Sequence, residues 1–128
     1  MITADQLLCH AVGDYLLQSD WMANEKTKKS IAALAHVATY GLPFLFLRPS
    51  WKAYVVIVGT HFIIDRWRLA RFVVGFKNTL LGFESSPRKF ATPTGYPTET
   101  PAWLAVWLLI IADNIMHVTI NGLALKYL

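Results

Sequence analysis

Polar residues recur three or four positions apart inside otherwise apolar stretches, and this pattern predicts four helices. From about 3 to 22, Thr3, Gln6, His10, Asp14 and Gln18 share one helical face. Leu7, Leu8, Ala11, Val12, Tyr15, Leu16 and Leu17 cover most of the remainder. A charged connector follows, Asn24-Glu25-Lys26-Thr27-Lys28-Lys29. The second predicted helix, 30–47, is apolar apart from His36, Thr39 and Tyr40, with Pro43 as a kink. Arg48-Pro49-Ser50 reads as a turn in which Ser50 caps the next helix. The third, 51–76, starts apolar, carries His61 and Asp65, then turns basic at Arg66, Arg68 and Arg71. Pro87, Pro93, Pro97, Gly82 and Gly95 make 80–100 an irregular loop, and a loop this long is often a lid or binding element. The fourth helix, 101–125, opens on Pro101 and sets Asp113, Asn114, His117 and Asn121 on one stripe.

No segment has the roughly 20 uninterrupted apolar residues of a simple membrane span. Each is nevertheless long enough to span, or nearly so, with its polar groups on a shared face. The fold this implies is all-α: a membrane-embedded bundle of about four helices in one domain, 1–128, with a polar interior and an apolar lipid face. Composition points the same way. Apolar residues make up 55% and charged residues 16%, against roughly 45–50% and 25% in soluble domains. A chain this short has a large surface for its volume, and there is too little charge here to clothe it for water.

The net charge of +4 would suit nucleic acid, but its placement does not. Lys26, Lys28, Lys29, Lys77, Arg88 and Lys89 lie between apolar segments, and no basic face alternates with exposed aromatics. A nucleic-acid partner is not expected. The positive-inside rule puts both basic connectors in the cytoplasm and both termini outside. Trp21, Trp51 and Trp103 fall at helix ends, where interfacial aromatics belong. The first segment can alternatively lie flat on the interface. The chain opens without the basic region of a signal peptide, so insertion would be directed by the helices themselves. Cys9, the single cysteine, allows no disulfide and no CxxC zinc site, and is expected to pack as a small hydrophobe.

The chemistry lies in three pairs, His10-x-x-x-Asp14, His61-x-x-x-Asp65 and Asp113-x-x-x-His117. A separation of four sets both side chains on one face, a turn apart. Helices in bundles present paired metal ligands with similar spacing. At about 1.5 Å rise per residue, the depth of the first pair overlaps that of each of the others. His36 approaches from the inner half. Unpaired carboxylates in hydrocarbon are costly, and a divalent cation relieves three of them among four imidazoles. Such a set suits one or two ions of zinc or manganese/iron type, with some aspartates orienting the ligating histidines instead. The metal-ligand set is therefore His10, Asp14, His36, His61, Asp65, Asp113 and His117. Taken singly, a histidine on an apolar face, His36 above all, is more often a hydrogen-bonded core residue than a ligand. Arg68, three residues beyond Asp65, is the candidate clamp for a charged substrate; snorkelling to anionic headgroups is its other use. Asp20, Asn114 and Tyr40 are supporting candidates, and Asn121 is expected to bond to a neighbouring helix.

The blocks His10-Ala11-Val12-Gly13-Asp14-Tyr15-Leu16-Leu17-Gln18-Ser19-Asp20-Trp21-Met22, His61-Phe62-Ile63-Ile64-Asp65 and Ala112-Asp113-Asn114-Ile115-Met116-His117 resemble the signature of a small integral-membrane family of unknown function from bacteria and phages. The resemblance implies a compact multi-pass protein of the bacterial inner membrane. A looser similarity links the HxxxD pattern to membrane-bound metal-dependent hydrolases of the LexA-regulated inner-membrane type, whose paired-histidine block this chain lacks. The expected function is accordingly a membrane-embedded hydrolase in which water activated at the metal centre attacks a phosphoester or lipid-linked group. Asp65 or Asp113 would be the base, Arg68 the headgroup clamp and 80–100 the cover. Two other readings use the same polar stripe. One is a non-enzymatic bundle, conducting ions or protons or acting as a phage-type effector; the other is a soluble helical metalloprotein.

Overall fold

The computed structural model describes residues 2–81 and 92–128. Six α-helices account for most of them, with no strand among the described residues: α1 (Ala4–Ala11), α2 (Asp20–Glu25), α3 (Ser30–Phe44), α4 (Trp51–Trp67), α5 (Ala70–Leu81) and α6 (Ala102–Tyr127). A π-helical turn, Val12–Leu16, continues α1, and a 3-10 turn, Leu45–Leu47, continues α3. The chain divides into two compact units, Met1–Trp67 with Met116–Leu128, and Arg68–Ile115.

Three hydroxyl caps set helix starts in the first unit. Thr3 Oγ1 accepts from the Gln6 amide at 3.2 Å. Ser19 Oγ accepts from Met22 at 3.3 Å, and Ser50 Oγ, as expected from sequence, from Ala53 at 3.1 Å. Each satisfies a backbone donor that the first helical turn leaves without a partner. The Ser19 cap restarts the chain as α2, so the predicted helix 3–22 is in fact two helices with a π turn between. Pro43 removes one backbone donor near the end of α3, and the helix gives way to the 3-10 turn two residues later.

Around α3 pack α1, the π turn, α2 and α4. Ala32 and Ala33 are fully buried and let neighbours approach closely. One apolar cluster, Cys9, Tyr40, Phe44, Ala53, Ile57 and Ala124, fills this unit beside the polar groups described below. Cys9 packs there as expected, its thiol donating to the Pro43 carbonyl at 3.3 Å. Gly13 is required by the packing. A Cβ at that position would stand 2.8 Å from both the Tyr40 carbonyl oxygen and Tyr40 Cδ2.

The predicted helix 51–76 is also divided. It stops at Trp67 and resumes at Ala70, and Arg68 takes a left-handed backbone with φ of 49°. In the second unit, α5 includes Leu80 and Leu81. Most of the predicted loop 80–100 lies outside the described residues; its remainder, 92–100, is a series of turns and bends. Gly95 (φ 77°) sits against the Arg71 carbonyl, where any side chain would collide. α6 begins at Ala102, one residue after Pro101.

Two helical stretches, Ser30–Leu47 and Ala102–Tyr127, are long and apolar enough to cross a membrane.

Candidate metal centre

Four donor atoms from three elements converge in the first unit. The π turn supplies Asp14, α3 supplies His36, and α4 supplies His61 and Asp65, one turn apart. His36 Nε2 stands 3.0 Å from His61 Nε2, 3.2 Å from Asp14 Oδ1 and 3.2 Å from Asp65 Oδ2. His61 Nε2 stands 3.2 Å from Asp65 Oδ2 and 3.7 Å from Asp14 Oδ1. Donors held 2.0–2.2 Å from a tetrahedral zinc lie about 3.3–3.6 Å from one another. The five separations scatter around that edge length. The residues fit a metal ion.

Two Nε2 atoms 3.0 Å apart cannot both carry a proton directed at the other, so at least one presents a lone pair. The two carboxylate oxygens bring more lone pairs to the same point. All four residues are buried, and water is not there in bulk to disperse the charge.

Around this inner set, each aspartate turns its second oxygen to an outer histidine. Asp65 Oδ1 is 3.3 Å from His117 Nε2, and Asp14 Oδ2 is 4.0 Å from His10 Nε2. A short chain of bonds orients His10. Asn121 Nδ2 donates to the Tyr40 hydroxyl at 2.7 Å. That leaves the Tyr40 proton for His10 Nδ1 at 3.0 Å and puts the imidazole's own proton on the side of Asp14. Metal-bound histidines ordinarily donate from their second nitrogen. Here Nδ1 of both His36 and His61 is buried and has no hydrogen-bond partner. Packing fixes the His61 ring instead, with Tyr40 stacked on it at 3.6 Å between centroids and the His117 ring at 4.1 Å.

The remaining member is Lys26, which sequence reasoning placed only as a marker of topology. Its Nζ lies 2.7 Å from Asp65 Oδ2, 3.4 Å from His36 Nε2 and 3.9 Å from Asp14 Oδ1. A usable signal was present in the connector. Glu25 can reach Lys28 and Lys29 at helical spacings of three and four, but not the adjacent Lys26, which points to another side of the chain. The structure has those two pairs, at 3.3 and 2.9 Å. Hydrogen bonds from Lys29 and Lys28 hold the exposed Glu25 carboxyl below its ordinary range.

Of the other predicted site residues, Asp113 is half-buried on α6, one turn before His117. Arg68 is exposed at the break between α4 and α5, so it does not continue the Asp65 face as a longer α4 would have required. Asp20 is exposed and accepts from Asn24 Nδ2 at 2.9 Å, away from the centre. Asn114 donates to the Ile110 carbonyl one turn back. Asn121 bonds to a neighbouring helix as expected, and through Tyr40 it also serves the site.

A family model described as a protein of unknown function, DUF3307, matches residues 2–126. The chain belongs to the DUF3307 family. Membership agrees with the resemblance to a family of unknown function. It supports neither the signature blocks nor the likeness to LexA-regulated hydrolases. No curated protein and no solved structure matches this DUF3307 chain.

Proposed function

We propose that this chain is a membrane-embedded, metal-dependent hydrolase acting on a phosphoester or lipid-linked substrate. The observation that carries the reading is the near-tetrahedral spacing of Asp14 Oδ1, His36 Nε2, His61 Nε2 and Asp65 Oδ2. A divalent ion held by these residues would polarise a phosphoryl oxygen and generate a nucleophile from water near neutral pH. The protein's own contribution is to fix the four donors on packed helices, keep bulk water away, and orient Asp14 and Asp65 through His10 and His117.

Support for the membrane comes from the distribution of polarity. Gln6, His10, Asp14, His36, His61, Asp65, His117 and Asn121 are buried, while Leu8, Leu16, Ile31, Leu34, Phe46 and Val55 are more than half exposed. Scattered exposed leucines are ordinary in soluble proteins. Eight buried polar side chains beside them reverse the usual arrangement and suit a lipid exterior. Multi-pass insertion in a bacterial inner membrane extends from this.

Elemental analysis of detergent-purified protein tests the centre. Wild type should carry about one zinc, manganese or iron per chain, and His61→Ala and Asp14→Ala should carry none. Wild type devoid of metal after growth with these ions sinks the reading. The string of contacts from His10 through Asp14, His36, His61 and Asp65 to His117 favours a second reading, a proton path. Proton flux in proteoliposomes, without turnover of any phospholipid, would select it.

A further inference from the structure

We propose that Lys26 is the anion-binding residue of the site and receives a phosphate group of the substrate. This rests on the metal-centre reading and adds to it the group that selects the substrate. Lys26 Nζ contacts three of the four donors, Asp65, His36 and Asp14, at 2.7, 3.4 and 3.9 Å. The ammonium therefore caps one face of the donor set. A tetrahedral zinc site that takes an additional ligand admits it between existing ones, so an oxygen anion entering by this face meets Lys26 first. The side chain of Lys26 is 16% exposed, against 8% or less for Asp14, His36, His61 and Asp65. It is the most accessible member of the inner cluster.

The neighbouring cations are already committed. Lys28 and Lys29 pair with Glu25. Arg66 donates to the Thr27 carbonyl at 2.8 Å and to Ser30 Oγ at 3.2 Å, pinning the connector that carries Lys26. Among the described residues, the lysine ammonium is tied to groups that a cation in the centre would take over. Once the two aspartates have a divalent ion to neutralise them, the ammonium loses its partners and becomes free to bind an anion. A compact charge with three donors on a four-carbon stem suits phosphate and can follow it over a few ångströms. Arg68, exposed at a helix break, is not needed for this role.

The source of the phosphate, free or lipid-borne, is separated by two probes. Zinc-loaded full-length wild type, Lys26→Gln, Lys26→Arg and Arg68→Gln would each be titrated with inorganic phosphate and with vesicles containing phosphatidic acid, and zinc occupancy measured in every sample. Loss of a charge-assisted hydrogen bond predicts binding at least about tenfold weaker in Lys26→Gln, with Lys26→Arg and Arg68→Gln close to wild type. A loss confined to the vesicles identifies a lipid phosphate; a loss confined to inorganic phosphate identifies a soluble one. Either upholds Lys26. Zinc-loaded Lys26→Gln that binds both probes like wild type overturns the proposal, as does zinc-loaded wild type that binds neither, and both results leave the metal centre standing. Wild type that takes up no zinc removes the centre and the lysine's role together. Should Lys26→Gln not fold, phosphate protection of Lys26 against reductive methylation in zinc-loaded wild type, read by mass spectrometry, replaces it. Absence of protection overturns the proposal.

Discussion

In the second unit, polar side chains close turns. Asn78 Nδ2 donates to the Gly95 carbonyl at 3.1 Å, Thr92 Oγ1 to the Tyr96 carbonyl at 2.8 Å, and Lys77 Nζ to the Tyr96 hydroxyl at 3.0 Å. Two of these three bonds satisfy a backbone carbonyl, and none joins opposite charges. In the first unit, two carboxylates, four imidazoles and an ammonium meet one another away from the backbone. Burying ionised groups costs several kcal/mol each before pairing returns any of it, and apolar side chains of similar volume could fill the space. These three contacts of the second unit are of the kind that folding alone explains, whereas the buried charged cluster of the first is costly to assemble.

Substitutions can break this contrast. The largest effect is expected from Asp65→Ala, which removes the partner of Lys26, His36, His61 and His117 at once. Breaking a buried pair leaves a charge uncompensated, at about 3–5 kcal/mol. Denaturation of the metal-free protein should show that loss, and metal uptake should vanish with it. Gly13→Ala and Gly95→Ala form a matched pair of intermediate size. Each forces a side chain against backbone and should destabilise by about 1–3 kcal/mol. Gly13→Ala, however, moves the π turn that carries Asp14, and should also weaken zinc binding at least about tenfold, as loss of a group that orients metal ligands does. Gly95→Ala should leave zinc affinity as in wild type; equal metal loss in both would erase the distinction between the units. The smallest effect is that of Tyr40→Phe. It cuts the link between Asn121 and His10 at about 1 kcal/mol, with a shift in zinc affinity of no more than about tenfold.

How much of this was legible in the sequence depends on how local the determinant is. His10 with Asp14 and His61 with Asp65 could be paired from spacing, because a helix brings residues four apart together wherever it lies. His36 could be added because an imidazole in an apolar run stands out. The break at Arg68 could not be foreseen. Neither glycine nor proline marks it, and the left-handed backbone falls on an arginine. The π turn is hidden for a related reason, since an α-helical period fits its residues well enough on paper. Lys26 was concealed by length of reach: it contacts Asp65, 39 positions away, through a flexible stem, and only the saturation of Glu25 by Lys28 and Lys29 set it apart.

In the π turn, the Leu17 amide bonds to the Val12 carbonyl, five residues back, at 3.0 Å. The turn thereby accommodates one residue more than an α-helix would, in the manner of an insertion tolerated inside the helix. Deleting a single residue there would let the backbone run on smoothly and with better hydrogen bonds. Each residue, however, rotates the chain by about 100°, so the aspartate would swing away from His36 while His10 stayed in place. A shortened relative with a regular first helix would keep its histidines and acids on paper and still have lost its donor set.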